Sequence, residues 1–186
     1  MNSAIGPTGA MGRIAAQLGV SARTVRRAVS QGTVRVGARD LSPAEEDYLL
    51  RSRSLLAALR RALRTEPGLD AAILFGSRAR GDDADGSDID LAVRFRHPDG
   101  GAGPRLADRL ERRVGRPVQV IDLADAERGS AVLLSEIVRD GRPLVDRNGE
   151  WAALSGRRQE IEEHALADDD RSAARARAAL SAFLGD

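Results

Sequence analysis

The chain has 186 residues, a length that corresponds to one or two domains and allows a sizeable buried core. It contains no cysteine, which excludes disulfides and thiolate metal sites. The formal net charge is only +1, no apolar run reaches the length of a membrane span, and the N-terminus lacks the apolar segment of a signal peptide. We therefore expect a cytoplasmic protein that does not associate with a membrane.

The N-terminal part of the chain is basic. Residues 1–39 contain six arginines and no acidic residue. A surface with this charge suits a polyanion such as nucleic acid. Charge alone, however, fits a solvated basic face equally well.

Two short helices are predicted in this basic part, over residues 12–20 and 22–30. Ser21 is a favourable N-cap for the second helix, and Gly19 allows the turn that precedes it. Small Ala15 lets the two helices approach each other. We expect Val20 and Val25 to fill the core between them.

This pair of helices resembles a helix-turn-helix, in which the second helix lies in the major groove of DNA. The side chains that would face DNA are those of Ser21, Arg23, Arg26 and Arg27. Specific binding would then require a homodimer on two half-sites. A helical hairpin used for packing or dimerisation is the alternative that the pattern leaves open.

A longer helix is predicted after these two. Ser42-Pro43-Ala44-Glu45 is a capping box with proline at the first helical position. The helix runs to about Arg64 with one apolar stripe, and Pro67-Gly68 ends it. It connects the basic module to the rest of the chain, and its stripe is compatible with packing on a sheet or with self-association.

The remaining chain alternates short strands and helices, which is typical of a small sheet with flanking helices. Strands are predicted over residues 71–75, 87–95, 118–121 and 143–145. Helices are predicted around residues 106–114 and 130–139. The tail after Trp151 is predicted to be helical, with an acidic break at residues 168–170.

The most informative residues lie between the first two strands. Gly76-Ser77 directly follows the first strand, and Asp88-Ile89-Asp90 opens the second. Residues i and i+2 of a strand point to the same face, so the two carboxylates project together and suit a hard divalent cation. The Gly-Ser turn offers backbone N–H groups and a hydroxyl to a phosphate. Nucleotidyl transfer requires this combination, whereas either half alone carries no information. A β-hairpin with an acidic edge strand is the alternative interpretation of the motif.

The combined motif resembles the DNA polymerase β-like nucleotidyltransferase superfamily, and it looks most like the minimal nucleotidyltransferase (MNT) antitoxin-like branch. The resemblance covers about residues 69–146. It implies an α+β fold with a small mixed sheet and flanking helices, preceded by the all-α helix-turn-helix module and followed by a short helical tail. The corresponding domain limits are 1–40, 41–68, 69–148 and 149–186.

The resemblance also implies roles for the motif residues. The nucleotide phosphates would be bound by Gly76, Ser77 and Arg80, with Arg78 as a weaker candidate. The Mg²⁺ ligands would be Asp88 and Asp90.

The family usually has a third carboxylate on its third strand, and Gln119 occupies that position here. Glutamine does not accept a proton at neutral pH and is a poor Mg²⁺ ligand. Asp122 lies on the opposite face of the strand by the period of two, so it does not replace Gln119.

By resemblance, the protein is a metal-dependent enzyme that moves a nucleoside monophosphate, AMP from ATP, onto a hydroxyl. A partner HEPN toxin would provide that hydroxyl on a tyrosine, which would make the protein an antitoxin. Gln119 favours a second hypothesis, a DNA-binding regulator whose weakened nucleotidyltransferase fold serves as a nucleotide sensor or protein-binding platform. A drug-modifying nucleotidyltransferase is disfavoured, because the helical tail is too short for a drug-binding domain.

Overall fold

The computed structural model describes residues 10–37 and 41–184. No helix within these ranges is long and apolar enough to cross a membrane. The elements, in chain order, are α1 (Ala10–Gln17), α2 (Ala22–Ser30), α3 (Pro43–Arg64), β1 (Leu69–Phe75), α4 (Gly76–Arg80), β2 (Ile89–Phe95), α5 (Ala102–Val114), β3 (Val118–Asp122), α6 (Leu123–Gly129), α7 (Ala131–Asp140), β4 (Arg142–Asp146), α8 (Glu150–Gly156) and α9 (Arg158–Leu184).

Within the described residues, four strands form one mixed sheet in the order β3-β2-β1-β4. β1 pairs antiparallel with both β2 and β4, whereas β2 and β3 run parallel. A parallel pair needs a crossover connection, which α5 provides. This sheet confirms the predicted α+β class, although the strand ends differ from the predicted ends by one or two residues.

Both faces of the sheet are covered by helices. Every residue of β1 is buried, and from Ala72 to Phe75 successive side chains alternate between two apolar cores. Leu74 faces the core that includes Leu59 of α3 and Leu106 of α5. Ile73 faces the second core, which includes Ile137 of α7. The Gly76-Ser77 motif therefore begins where a fully buried strand leaves the centre of the sheet.

The structure contains the pair of short helices that the basic N-terminal part predicts. Ile14, Ala15 and Val25 are buried, and Gly19 makes the turn with a φ of +64°. The prediction for Val20 is wrong, because 41% of this residue is exposed in the turn. The assignment of the pair as a DNA-binding module stays a prediction.

Serine caps set the first residues of α2 and α3. Ser21 Oγ accepts a hydrogen bond from the N–H of Thr24 at 3.1 Å. Ser42 Oγ accepts one from the N–H of Glu45, also at 3.1 Å. The other half of the predicted capping box is wrong, because the Glu45 carboxylate pairs with Arg142 instead of returning to the start of its own helix.

Arg142 connects the N-terminal helices to the sheet. Its buried guanidinium donates to the two carboxylate oxygens of Glu45 at 2.5 and 2.7 Å, and it lies 3.8 Å from the ring centre of Tyr48. The same group donates to the carbonyl oxygens of Thr33, after α2, and Ala79, in α4. One side chain on β4 thus holds residues from three other parts of the fold.

The C-terminal third differs from the sequence prediction in two places. Helix α6 was not predicted; it begins after Asp122, whose carboxylate accepts a hydrogen bond from the N–H of Ala124 at 2.8 Å. The predicted acidic break at residues 168–170 is wrong, because α9 continues through it. Asp168 pairs with Arg171, one turn later, at 3.2 Å, so its charge is accommodated within the helix.

Candidate active site

Gly76 brings the start of α4 against the second strand. Its φ is +69°, a conformation that side chains with a Cβ rarely adopt. A Cβ at this position would overlap the carboxylate of Asp90. The turn therefore requires glycine, and the close approach places Ser77 and the Asp90 carboxylate at the same end of the sheet.

Asp88 and Asp90 lie at the beginning of β2. The strand begins at Ile89, so Asp88 lies one residue before it and the predicted start at Ser87 is two residues early. Asp88 is exposed and Asp90 is half-buried. Burial raises the pKa of Asp90, and the negative charge of Asp88 raises it further. Asp88 is thus close enough to Asp90 for its negative charge to disfavour the ionised form of Asp90.

Gln119 lies beside Asp90 in the sheet. The parallel register makes the two residues Cα partners, so their side chains leave the same face of the sheet. Gln119 is exposed. Asp122, three residues later, serves as the N-cap of α6. The position next to the carboxylate pair therefore carries an amide and not an acid.

Arg80 approaches the carboxylate pair from the end of α4. It pairs with Asp140 at 2.7 Å and with Asp82 at 3.0 Å, and its side chain remains 40% exposed. Its positive charge opposes the rise in the pKa of Asp90. Arg80 is therefore fixed near the carboxylates while part of its guanidinium stays open to solvent.

Asp140, which the sequence did not indicate, fixes the position of Arg80. Burial alone would raise the pKa of Asp140, but hydrogen bonds from Arg139 and Arg80 hold it below its ordinary value. The carboxylate is thus ionised at neutral pH. Only the tertiary fold reveals this role, since 60 residues separate Arg80 and Asp140 in sequence.

The family model described as Polymerase beta, Nucleotidyltransferase matches residues 58–150, which is half of the chain and includes all of these site residues. The chain belongs to this family. No curated protein matches the chain. The family assignment confirms the resemblance seen in the sequence.

Solved structures with the same fold come from toxin–antitoxin pairs. One, described as a toxin–antitoxin with AMP-PNP, has 25% sequence identity and a TM-score of 0.54, over 65% of this chain and 97% of that chain. A second, described as the toxin–antitoxin MntA–HepT, has 23% identity and a TM-score of 0.51, over 67% of this chain and 97% of that chain. The second likeness shows the fold alone.

The residues at this site fit a divalent cation, which nucleotidyltransferases of this superfamily generally use. The side chains of Asp88 and Asp90 have no hydrogen-bond or ion-pair partner within the described part of the chain. A cation between them would relieve the repulsion that raises the pKa of Asp90. Mg²⁺ is commonly held by one or two carboxylates together with substrate phosphates and water.

A third protein acid does not complete the pair. Among the described residues, no group of three or more histidine, cysteine, aspartate or glutamate side chains is arranged to hold a metal ion. The charge of Glu136, on α7, also raises the pKa of Asp90, with a smaller effect than burial and Asp88. The arrangement in this family member is therefore two carboxylates and one amide.

Arg78 does not extend towards the phosphate site as the sequence suggested. Its buried guanidinium donates to the carbonyl oxygen of Ser87 at 2.8 and 3.0 Å and pairs with Asp83 at 2.7 Å. These contacts hold the segment that leads into Asp88. Arg78 thus positions the segment that leads into the carboxylate pair, and the Asp83 carboxylate takes part in this contact.

The residues predicted to face DNA lie together on α2 and at its N-terminus. Ser21, Arg23, Arg26 and Arg27 are all exposed, although Ser21 already uses its hydroxyl as a cap. Within the described ranges, none of the three arginines forms an ion pair. Their positive charges are therefore available to an external anion.

Proposed function

We propose that the protein is a metal-dependent nucleotidyltransferase that moves AMP from ATP onto a hydroxyl. One observation carries the proposal: the Gly76-Ser77 turn packs against Asp90, beside Asp88, in a member of this family. A phosphate cradle and a carboxylate pair then meet at one edge of the sheet. These two groups are the smallest set that positions a nucleoside triphosphate together with its cation.

In this proposal, the backbone N–H groups of Gly76 and Ser77 and the Ser77 hydroxyl bind the terminal phosphates. Arg80, fixed by Asp140, neutralises phosphate charge through its exposed part. Asp88 and Asp90 bind Mg²⁺. When bound, the cation offsets the charge on the phosphate oxygens and favours deprotonation of an attacking hydroxyl.

The reaction forms a bond between the acceptor oxygen and the α-phosphorus of ATP. The bond from that phosphorus to the bridging oxygen breaks, and pyrophosphate leaves with its electron pair. The hydroxyl proton passes to solvent, because Gln119 has no basic group to receive it. We therefore expect slow turnover compared with a protein that has a carboxylate at this position.

The proposed acceptor is a tyrosine of a partner HEPN toxin, which makes the protein an antitoxin. The support is the similarity, at 25% identity and a TM-score of 0.54, to a structure described as a toxin–antitoxin with AMP-PNP. AMP-PNP is an analogue of ATP, which also supports ATP as the donor.

The test combines the purified protein, Mg²⁺, ATP labelled at the α-phosphate, and a HEPN-domain protein as the acceptor. The expected result is label on the HEPN protein and release of one pyrophosphate per label. Tyr→Phe variants of the HEPN protein locate the acceptor. Binding of ATP without label transfer would leave only the sensor or platform hypothesis, and the absence of both would refute the proposed site.

Gln119→Asp is expected to raise the rate of AMP transfer. A carboxylate beside Asp90 would accept the hydroxyl proton, and such general base assistance is typically worth ~10²–10⁴-fold. The initial rate of pyrophosphate release measures the effect. Gln119→Asn, which keeps the length of aspartate without the charge, is the matched control and should give no gain. A slower Gln119→Asp variant would contradict the proposed role of this position.

The second candidate function is a DNA-binding regulator, in which the nucleotidyltransferase fold serves as a nucleotide sensor or protein-binding platform. Two observations favour it. The third-acid position carries Gln119, and the arginines of α2 are exposed without ion pairs in the described structure. A homodimer would present two such helices to half-sites about one helical turn apart.

Arg23→Ala/Arg26→Ala/Arg27→Ala is expected to weaken binding to duplex DNA from the upstream region of the gene. Each lost phosphate contact makes the slope of log binding constant against log salt concentration less negative by about 0.9. Fluorescence anisotropy over a series of salt concentrations measures both quantities. The control, Arg112→Ala/Arg113→Ala/Arg116→Ala, removes the same charge from exposed positions at the end of α5. Equal binding by the α2 variant and the wild type would return α1 and α2 to a packing role.

A further inference from the structure

A row of arginines on α3 faces the two N-terminal helices. The row occupies positions i, i+7, i+8 and i+11, so the four side chains leave one side of the helix. Together with two arginines of α2, they line adjoining clefts between α2 and α3, the larger of about 700 Å³. We call this set the arginine groove; it consists of Arg23, Arg27, Arg53, Arg60, Arg61 and Arg64.

The members of the arginine groove form no ion pairs within the described part of the chain. Burial lowers the pKa of Arg60, and the positive charges of Arg64 and Arg27 lower it further. The Nε of Arg60 is buried without a hydrogen-bond partner. Positive charges held together in this way favour an external anion that relieves their repulsion.

The arginine groove is continuous with the proposed DNA-binding face of α2 and reaches the sheet. At one end, the guanidinium of Arg53 lies near the Gly19 turn between α1 and α2. At the other end, Arg147, which follows β4, lines the cleft with Arg27 and Arg64. Asp146 is the one acidic residue lining these clefts in the described structure, and its carboxylate accepts a hydrogen bond from Glu150 N–H.

We propose that the arginine groove binds the sugar–phosphate backbone of the DNA whose major groove receives α2. The proposal rests on the proposed DNA-binding function and extends it beyond the N-terminal forty residues. From Arg53 to Arg64, α3 rises about 16 Å, which matches the axial rise of about five phosphates on one strand. Arginine is well suited to this contact, because its planar donors match phosphate oxygens.

DNA is favoured over an acidic protein segment because the groove includes Arg23 and Arg27, which belong to the exposed face of α2. A single duplex can contact both helices at once, because its phosphate backbones flank the major groove that would receive α2. The two helices would have different roles because they would contact different parts of the duplex. α2, in the major groove, would distinguish sequences, whereas α3 would contact phosphates and hold the duplex against the nucleotidyltransferase domain.

The test compares Arg53→Ala/Arg61→Ala/Arg64→Ala with the wild type in the full-length chain. All three side chains are exposed, so the fold should be retained, and circular dichroism verifies it. Fluorescein-labelled duplexes carry the upstream region or a scrambled sequence of the same composition. The expected result is weaker binding to both duplexes by the same factor and a log–log salt slope less negative by about 3.

The α5 control, Arg112→Ala/Arg113→Ala/Arg116→Ala, removes equal charge elsewhere and should change the salt slope much less. Unchanged DNA binding by the groove variant, with the α2 variant still defective, would overturn the groove proposal and leave the DNA-binding proposal standing. If the groove variant kept its DNA binding but no longer bound the HEPN partner, the groove would be a protein-binding surface and the groove proposal would be overturned. Loss of sequence preference without a change in salt slope would also overturn it, because base contacts and not phosphate contacts would then be missing.

Discussion

Asp88→Asn/Asp90→Asn is expected to abolish binding of Mg-ATP and to reduce AMP transfer by at least about 10²-fold, as does the loss of one preorganised electrostatic group in other enzymes. In the proposed site, the two carboxylates provide the negative charge that would hold the cation against the Gly76-Ser77 turn. Asparagine keeps the shape of both side chains and removes that charge. Isothermal titration measures binding, and pyrophosphate release measures transfer.

The loss should not come from unfolding. Burial, and then the charge of Asp88, raises the pKa of Asp90. A carboxyl with a raised pKa disfavours the folded state when it is ionised at neutral pH, so the neutral variant should unfold at an equal or higher temperature without Mg²⁺. Asp85→Asn, at an exposed position of the same loop, is the matched control and should bind normally. Wild-type affinity in the double variant would remove this site from consideration.

Arg142→Met is expected to lower the free energy of unfolding by about 3–5 kcal/mol, the usual cost of leaving one partner of a buried ion pair unpaired. Arg142 is 1% exposed and Glu45 is 6% exposed, so water would not solvate the carboxylate left behind. The carbonyl oxygens of Thr33 and Ala79 would also lose their donor. Equilibrium unfolding in urea measures the change.

Two further variants separate the ion pair from general effects of the substitution. Glu45→Leu/Arg142→Met should recover part of the lost stability, because no unpaired charge remains in the interior. Arg128→Met removes an arginine whose pair with Asp125 is 72% exposed on both sides, and it should change stability by less than about 1 kcal/mol. A loss of less than 1 kcal/mol in Arg142→Met would contradict the role of the buried pair.

Local signals explain which elements of the fold the sequence predicted. The limits of α2 and α3 follow from Ser21 and Ser42, whose hydroxyls cap the helices through neighbours three residues away. Helix α6 had a comparable signal at Asp122, but that residue was considered only as a possible metal ligand. The prediction of an acidic break in α9 was wrong because a run of aspartates lowers helix propensity only slightly. In addition, Arg171 offsets the charge of Asp168.

In the candidate site, too, the sequence predicts residues that belong to a local motif and misses residues that act through distant contacts. Gly76, Ser77, Asp88 and Asp90 stand in a short motif, so the sequence alone nominates them as candidate site residues. Asp140 could not be predicted, because its function depends on a contact with Arg80 across 60 residues. Glu45 pairs with Arg142 across 97 residues of sequence instead of completing its capping box. No local sequence pattern distinguishes this case from an ordinary capping box.

The contacts of Arg142 also determine how the chain can be divided. The segment that matches the family, residues 58–150, contains Arg142 but neither Glu45 nor Thr33, which receive its hydrogen bonds. A fragment cut at those limits would lose the carboxylate that neutralises this guanidinium and would expose the apolar core that Tyr48, Leu49 and Leu56 cover. The nucleotidyltransferase segment and the helices before it should therefore melt in one cooperative transition, and we expect a fragment of residues 58–150 to be insoluble or unfolded. The smallest part of this chain that folds on its own should therefore be longer than the segment that matches the family model.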